Sequence, residues 1–245
     1  MQESANNNSI LKINNEFDLE ISFTDETIDS VNNSSVSNNK NLNLKTLKER
    51  INDHLIPTNK FDKKSTVVGI KTGFLTLDDF YSNDSITGAD IRLNEVENLS
   101  VIDIDINHHD DKMEDQEVEQ LSSFIIEICK KNDYVLGRTP SGGFHIYCNS
   151  DDSWFSKLSK TSNSVTQIKL MKGLDLDLFT SRDPNKIQNI LVIESKVIYP
   201  SNPNEIKQSE FINGSYDSVI NYSLTDVLKE LNWIKKIEEI FEDKK

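Results

Sequence analysis

Two short stretches of this sequence place an acid at every second position between large aliphatic side chains: Val101-Ile102-Asp103-Ile104-Asp105-Ile106 and Gly173-Leu174-Asp175-Leu176-Asp177-Leu178-Phe179. A period of two is that of a β-strand, whose successive side chains point to opposite faces. Each stretch therefore reads as a strand with isoleucines or leucines on a core and acids on the other face. The two acids of one strand stand about 7 Å apart. Carboxylates that converge in this way suit a hard divalent cation, which takes oxygen ligands. A solvated strand face has the same appearance, and metal-dependent glycosyltransferases and hydrolases also carry such pairs. One pair alone does not choose among these readings.

Between the two strands lies Arg138-Thr139-Pro140-Ser141-Gly142-Gly143-Phe144-His145-Ile146-Tyr147. Adjacent glycines allow a tight turn and can present backbone N–H groups to an anion. On the following strand His145 alternates with Phe144 and Ile146, so it is expected to face away from the core, where a phosphate could sit. Arg138 and Ser141 are expected to add donors to the same oxygens. Downstream, Ile190-Leu191-Val192-Ile193 reads as a buried strand ending in Glu194-Ser195-Lys196.

The remaining organisation is mixed. Residues 1–43 are rich in Asn and Ser with little apolar periodicity, which predicts a disordered tail. Within it, residues 10–23 could dock as a strand or a recognition peptide. Residues 44–245 are expected to form one catalytic domain. Residues 44–55 read as a short amphipathic helix, 67–77 as strand and turn, and 98–107 as a strand. Residues 117–131 have apolar side chains at helical spacing. Residues 134–138 and 144–148 read as two strands around the glycine turn, 174–179 and 190–198 as a second pair, and 224–241 as one closing amphipathic helix. This mixture of helices with hairpin-like strand pairs predicts an α+β fold.

Composition excludes several classes. Hydrophobic residues make up 36 % and charged residues 28 %, as in an ordinary globular protein. No apolar run is long enough for a membrane helix, so no membrane partner is expected. Cys129 and Cys148 sit inside apolar patterns, which argues for a reducing, intracellular compartment, cytoplasm or nucleus. The net charge of −14 argues against a protein that coats nucleic acid. Trp154 and Trp233 read as packing residues. His108-His109-Asp110-Asp111 reads as a solvated loop before a helix rather than a metal cluster.

Taken together, the carboxylate pair, the helix, the Ser-Gly-Gly-x-His turn and the second carboxylate strand resemble the archaeo-eukaryotic primase superfamily, and more closely its primase-polymerase branch. The resemblance covers about residues 87–200. It implies a primase-like catalytic core, an RRM-like antiparallel sheet bearing the acids joined to a second small α/β unit bearing the histidine. It further implies a DNA-directed nucleotidyltransferase, a primase or DNA polymerase, that uses Mg²⁺ or Mn²⁺. Its substrates would be dNTPs or NTPs on single-stranded DNA template, with a separate helicase or replication protein as a partner. By the resemblance, Asp103, Asp105 and Asp175 are the catalytic metal ligands, with Asp177 as the alternative third acid. Arg138, Ser141, Gly142, Gly143, His145, Ser195 and Lys196 are the implied nucleotide-binding residues. The segment 181–189 is longer and more polar than the family's turn, and the cysteines that some relatives use for a zinc insertion are absent. A non-catalytic nucleotide-binding module of a replication complex is the alternative reading.

The composition of residues 1–43 generates a first test. Their removal is expected to leave the melting temperature of the remaining chain within about 2 °C, on the scale where 1 kcal/mol moves a chain of this size by roughly 2–4 °C. A larger fall in a thermal melt would place the segment in the core.

Overall fold

The computed structural model describes residues 10–12, 20–22, 45–58, 75–84, 86–109, 111–199 and 202–242. The chain divides into two units, Met1–Asn43 and Leu44–Lys245. In the first, Ile10–Lys12 (β1) and Glu20–Ser22 (β2) pair with each other as antiparallel strands. The rest of the segment read as a disordered tail lies outside the described residues.

The second unit is α+β with antiparallel sheets. It starts with a short helix, Leu47–Ile51 (α1), then Leu55–Pro57 (β3), Leu77–Ser82 (α2) and Ala89–Arg92 (β4). The helix expected over 44–55 is thus one turn and a half, after which Leu55 and Ile56 enter a sheet. Residues 67–74 of the expected strand and turn at 67–77 lie outside the described residues. After a 3₁₀ turn come Leu99–Ile106 (β5), Asp115–Lys131 (α3), Val135–Arg138 (β6) and Phe144–Asn149 (β7). Asp152–Leu158 (α4), Ser164–Met171 (β8) and Leu174–Thr180 (β9) follow. The chain then runs through Asn189–Leu191 (β10), Lys196–Ile198 (β11), Ile206–Gln208 (β12) and Glu210–Asn213 (β13). Leu224–Glu230 (α5) and Ile234–Glu242 (α6) close it.

Six strands form the main sheet in the order β13-β6-β7-β5-β9-β8, with every neighbouring pair antiparallel. The alternation in β5 and β9 places Ile102, Ile104, Leu174, Leu176 and Leu178 on one face, all fully buried. Each such side chain contributes about 1.5–3 kcal/mol by leaving water. Helices α3, α5 and α6 contact this sheet. In α3, Leu121, Phe124, Ile125 and Cys129 are buried at spacings of three and four, and Lys130 and Lys131 complement the negative end of the helix dipole.

A smaller sheet, in the order β10-β4-β3, holds the chain that leaves β9. This corrects the expected pairing of 174–179 with 190–198. The partners of β9 are β5 and β8. The polar segment after β9 does not turn back: Arg182 donates to the carbonyls of Ser159 and Lys160, and Asn94 donates to the carbonyl of Pro184. It delivers Asn189–Leu191 to the edge of β4 instead. The buried run then breaks at Glu194, which has φ 75°, so 190–198 is two short strands in different sheets. The expected helix 224–241 is likewise two helices. Asn232 takes the left-handed conformation, φ 59°, just past the end of α5, and Trp233 beside it is fully buried. Among the described residues no helix is long and apolar enough to cross a membrane.

The β6–β7 hairpin depends on its two glycines for different reasons. Gly142 has φ +98° and open space around it. A Cβ on Gly143 would fall 2.1 Å from the carbonyl oxygen of Ile104 in the adjoining strand. Gly142→Ala is therefore expected to cost about 1 kcal/mol through backbone strain alone. Gly143→Ala must push two strands apart and is expected to cost more, at least about 2 kcal/mol. Thermal melts of the two variants check this order, and equal losses would contradict it.

Candidate active site

The site is built by register. β5 and β9 pair so that Asp103 stands opposite Asp177 and Asp105 opposite Asp175. The four carboxylates form a two-by-two block on the face away from the isoleucine and leucine core. All four are partly buried, with side chains of Asp103, Asp105 and Asp175 exposed by 22 %, 21 % and 13 %. Burial, and then the charge of Asp103, hold the Asp105 carboxyl above the usual carboxylate range. Asp177 is also raised, by burial first, while a hydrogen bond from the backbone N–H of Gln167 opposes the shift. That bond distinguishes Asp177 from Asp175: the edge strand engages one oxygen of Asp177 at 2.6 Å, where Gln167 bulges out of β8 with φ 56°.

β7 flanks β5 on its other side and brings His145 directly opposite Asp103. His145 Nε2 lies 3.3 Å from Asp103 Oδ1. The resemblance implied that the histidine sits on a second unit. It lies instead on the same sheet as the acids, because β7 occupies the remaining edge of β5. His145 faces the site as expected, yet it is only 6 % exposed, with Tyr147 edge-on at 6.4 Å between ring centroids. Its Nδ1 and the Tyr147 hydroxyl are buried and have no hydrogen-bond partner among the described residues.

A cavity of about 430 Å³ opens beside this block. Asp103, His145, Thr139, Pro140 and Ser141 line it from the main sheet and its glycine turn. Asp90 and Asn189–Leu191 line it from the smaller sheet. Cavities of this size hold small ligands. Ser141 is brought to the site as expected, its hydroxyl 3.0 Å from that of Thr139. The N–H of Gly142 is used within the turn, donating to the carbonyl of Thr139 at 3.0 Å, and the carbonyl of Gly143 accepts from Thr139 N–H at 2.9 Å. The Gly142 N–H is thereby committed to shaping the turn, not to an incoming anion.

Three expected nucleotide contacts are not brought here. Arg138 pairs with Phe144 across the hairpin, which puts it on the face opposite His145. Its guanidinium lies over the Phe144 ring and 4.0 Å from Glu210. Ser195 is fully buried, and its hydroxyl accepts from the N–H of Ala89, fastening β4 to the turn after β10. Lys196 is exposed beside a different cavity of about 230 Å³, with Tyr81, Glu194 and Gln208.

Sequence reasoning missed two features. Asp90 is a buried carboxylate on the cavity wall, and nothing in Ala89-Asp90-Ile91-Arg92 marks it without knowledge of the smaller sheet. His108 and His109 are exposed as expected of a loop, yet each reaches the block. His108 Nδ1 is 3.5 Å from Asp105 Oδ1, and His109 Nε2 is 3.8 Å from Asp175 Oδ2. Their position directly after the D-x-D strand was the available signal. Among the described residues no three His, Cys, Asp or Glu side chains gather closely enough to hold one ion. The donor set nevertheless suits a hard divalent cation, since four carboxylates share one face and two of them are held above their ordinary pKa.

A carboxyl whose folded-state pKa is raised contributes stability at low pH that is lost as pH rises through that pKa. Asp105→Asn is therefore expected to raise Tm at pH 7 by roughly 1–4 °C, the scale of a solvent-screened effect in a chain this long. The advantage should shrink as pH falls toward about 4, the ordinary carboxyl value, because the wild-type group then becomes neutral too. Paired melts between pH 4 and 7 check the sign. A variant less stable than wild type at pH 7 would contradict it.

No protein-family model matches this chain, and no curated protein matches it significantly. Its function is therefore argued from this arrangement of side chains.

Proposed function

We propose that the chain is a metal-dependent nucleotidyltransferase of the primase-polymerase kind, which starts or extends a primer on single-stranded DNA. The observation that carries this reading is the block of Asp103, Asp105, Asp175 and Asp177 on one sheet face, whose Asp103 and the facing His145 line one cavity. The antiparallel sheet, with acids on two neighbouring strands and the histidine on a third, supports a primase-like core of the RRM kind.

Asp103, Asp105 and Asp175 would hold Mg²⁺ or Mn²⁺. When bound, such ions make a 3′-hydroxyl more acidic and offset charge on a leaving pyrophosphate. The protein's own part is positioning, which phosphoryl transfer mainly requires. His145, with Nε2 3.3 Å from Asp103, would stand on the cavity wall where a nucleotide phosphate is bound. The hydroxyls of Ser141 and Thr139 add short donors on the same wall. Arg138, Ser195 and Lys196 have no part in this assignment, given where their side chains lie.

The test is primer extension and de novo synthesis on single-stranded DNA, with dNTPs and NTPs supplied separately under Mg²⁺ and Mn²⁺. Asp103→Ala is expected to abolish incorporation without loss of fold. His145→Ala should lower kcat/KM for the nucleotide by about ten- to a hundredfold, the equivalent of roughly 1.5–3 kcal/mol for a charge-assisted hydrogen bond. Activity of Asp103→Ala within a few-fold of wild type would end the proposal. So would turnover of sugar nucleotides in place of nucleotide incorporation.

A further inference from the structure

The sheet face that carries the acids changes character from one row of side chains to the next. In one row Asp103 stands between His145 of β7 and Asp177 of β9. Two residues back along β5, Val101 stands between Tyr147 and Phe179. Successive rows on one face are about 7 Å apart. In the opposite direction along β5 lies the turn of the β6–β7 hairpin, since Phe144 at the start of β7 already pairs with Ile104. That turn carries the hydroxyls of Thr139 and Ser141. Register alone therefore sets hydroxyls on one side of Asp103 and an aromatic row on the other.

Phe179 holds the third position of the acid face of β9, after Asp175 and Asp177. Val101 and Tyr147 in its row are fully buried, whereas Phe179 is only partly buried. A phenylalanine that served packing alone would gain by complete burial. Phe179 instead lines the same cavity of about 430 Å³ as Asp103, Thr139 and Ser141, and the smaller sheet adds Ile190 and Leu191 to that lining. The cavity thus has a polar end at the glycine turn and an aromatic end at Phe179.

We infer that Phe179 is the platform on which the base of a bound nucleotide stacks, with the phosphates directed toward Thr139 and Ser141. The inference rests on the nucleotide-binding part of the proposed function. A nucleotide has the matching polarity, with oxyanions at one end and a flat ring at the other. Stacking on an aromatic side chain is open to every base, because each has a π-face. Phe179 is therefore a binding residue that adds affinity without choosing among bases.

The experiment measures binding of dATP, dTTP and inorganic tripolyphosphate to the full chain by calorimetry, with Mg²⁺ present. Wild type is expected to bind both nucleotides more tightly than tripolyphosphate. Phe179→Ala should weaken both nucleotides by roughly five- to a hundredfold, the range that loss of one stacked base produces. Its affinity for tripolyphosphate should stay within about twofold, and Phe179→Trp should restore nucleotide binding. Ser141→Ala, at the other end, should weaken all three ligands alike. Should Phe179→Ala fail to fold by circular dichroism, Phe179→Leu, which keeps an apolar side chain without the ring, is measured in its place. Equal affinity of wild type for nucleotides and tripolyphosphate overturns the inference. So does a Phe179 variant that loses nothing, or that loses nucleotide and tripolyphosphate equally. If the base-dependent loss is found but no nucleotide is incorporated, the stacking platform stands and the polymerase reading falls. If nucleotides are incorporated and Phe179→Ala leaves their affinity unchanged, the reverse holds.

Discussion

The antiparallel pairing of β5 with β9 sets four like charges side by side. Like charges directly opposite one another in a sheet cost a few tenths to about 1 kcal/mol per pair. The opposing effect lies on the other face of the same two strands. Ile102, Ile104, Leu174, Leu176 and Leu178 are completely buried there, each stabilising the fold by about 1.5–3 kcal/mol. The hydrophobic face wins by a wide margin, so the strands hold their register against the repulsion. A slip of one residue would bury the acids and expose the leucines. The position of the site is therefore fixed by the core rather than by any attraction among the site residues.

Neighbouring elements work from that fixed pair. β7 can add only along the open edge of β5, and its register brings His145 to Asp103. The close approach of Gly143 to the carbonyl of Ile104 keeps the hairpin turn near the carboxylates. Beyond β9, the bulge at Gln167 lets the edge strand donate a backbone N–H to Asp177. One acid of the four is thus tied to the fold, while Asp105 and Asp175 meet the histidine loop. The two ends of the block consequently have different surroundings. Asp103 is beside a buried imidazole and the cavity, and Asp105 is beside exposed ones.

What could be read from the sequence follows the same division. β5 and β9 were legible because their alternation is unbroken over six residues. The helix at 115–131 was legible because its apolar spacing is uninterrupted. β8 escaped notice because the left-handed Gln167 inserts a bulge between the Val165 and Ile168 pairs, which spoils the period of two. The face of Arg138 was misjudged because period alone does not set the phase of a hairpin. Turn length does that, and the turn 139–143 pairs Arg138 with Phe144 rather than His145. The burial of Ser195 depends on β4, a strand more than a hundred residues earlier in the chain, and nothing local to Glu194-Ser195-Lys196 reveals it. Asp90 and the histidine loop likewise acquire meaning only from the strands they meet.

The charge of the molecule bears on the proposed function in a local way. Charges more than about 8 Å apart in water are largely screened at physiological salt, so the net −14 matters less than what surrounds the cavity. Asp90, Asp103 and His145 line it, and beyond Asp103 the block meets His108 and His109, while Lys169 is already paired with Asp111. A triphosphate brought against these acids by itself would be repelled. In the proposed function divalent ions between the two would reverse the sign, since each ion attracts both the carboxylates and the phosphates. Ion and nucleotide would then raise each other's affinity by the same factor, as linkage requires. Template binding has no comparable device in this block. Under the proposed reading it would rest on lysines and arginines placed elsewhere, with an affinity that falls steeply as salt rises.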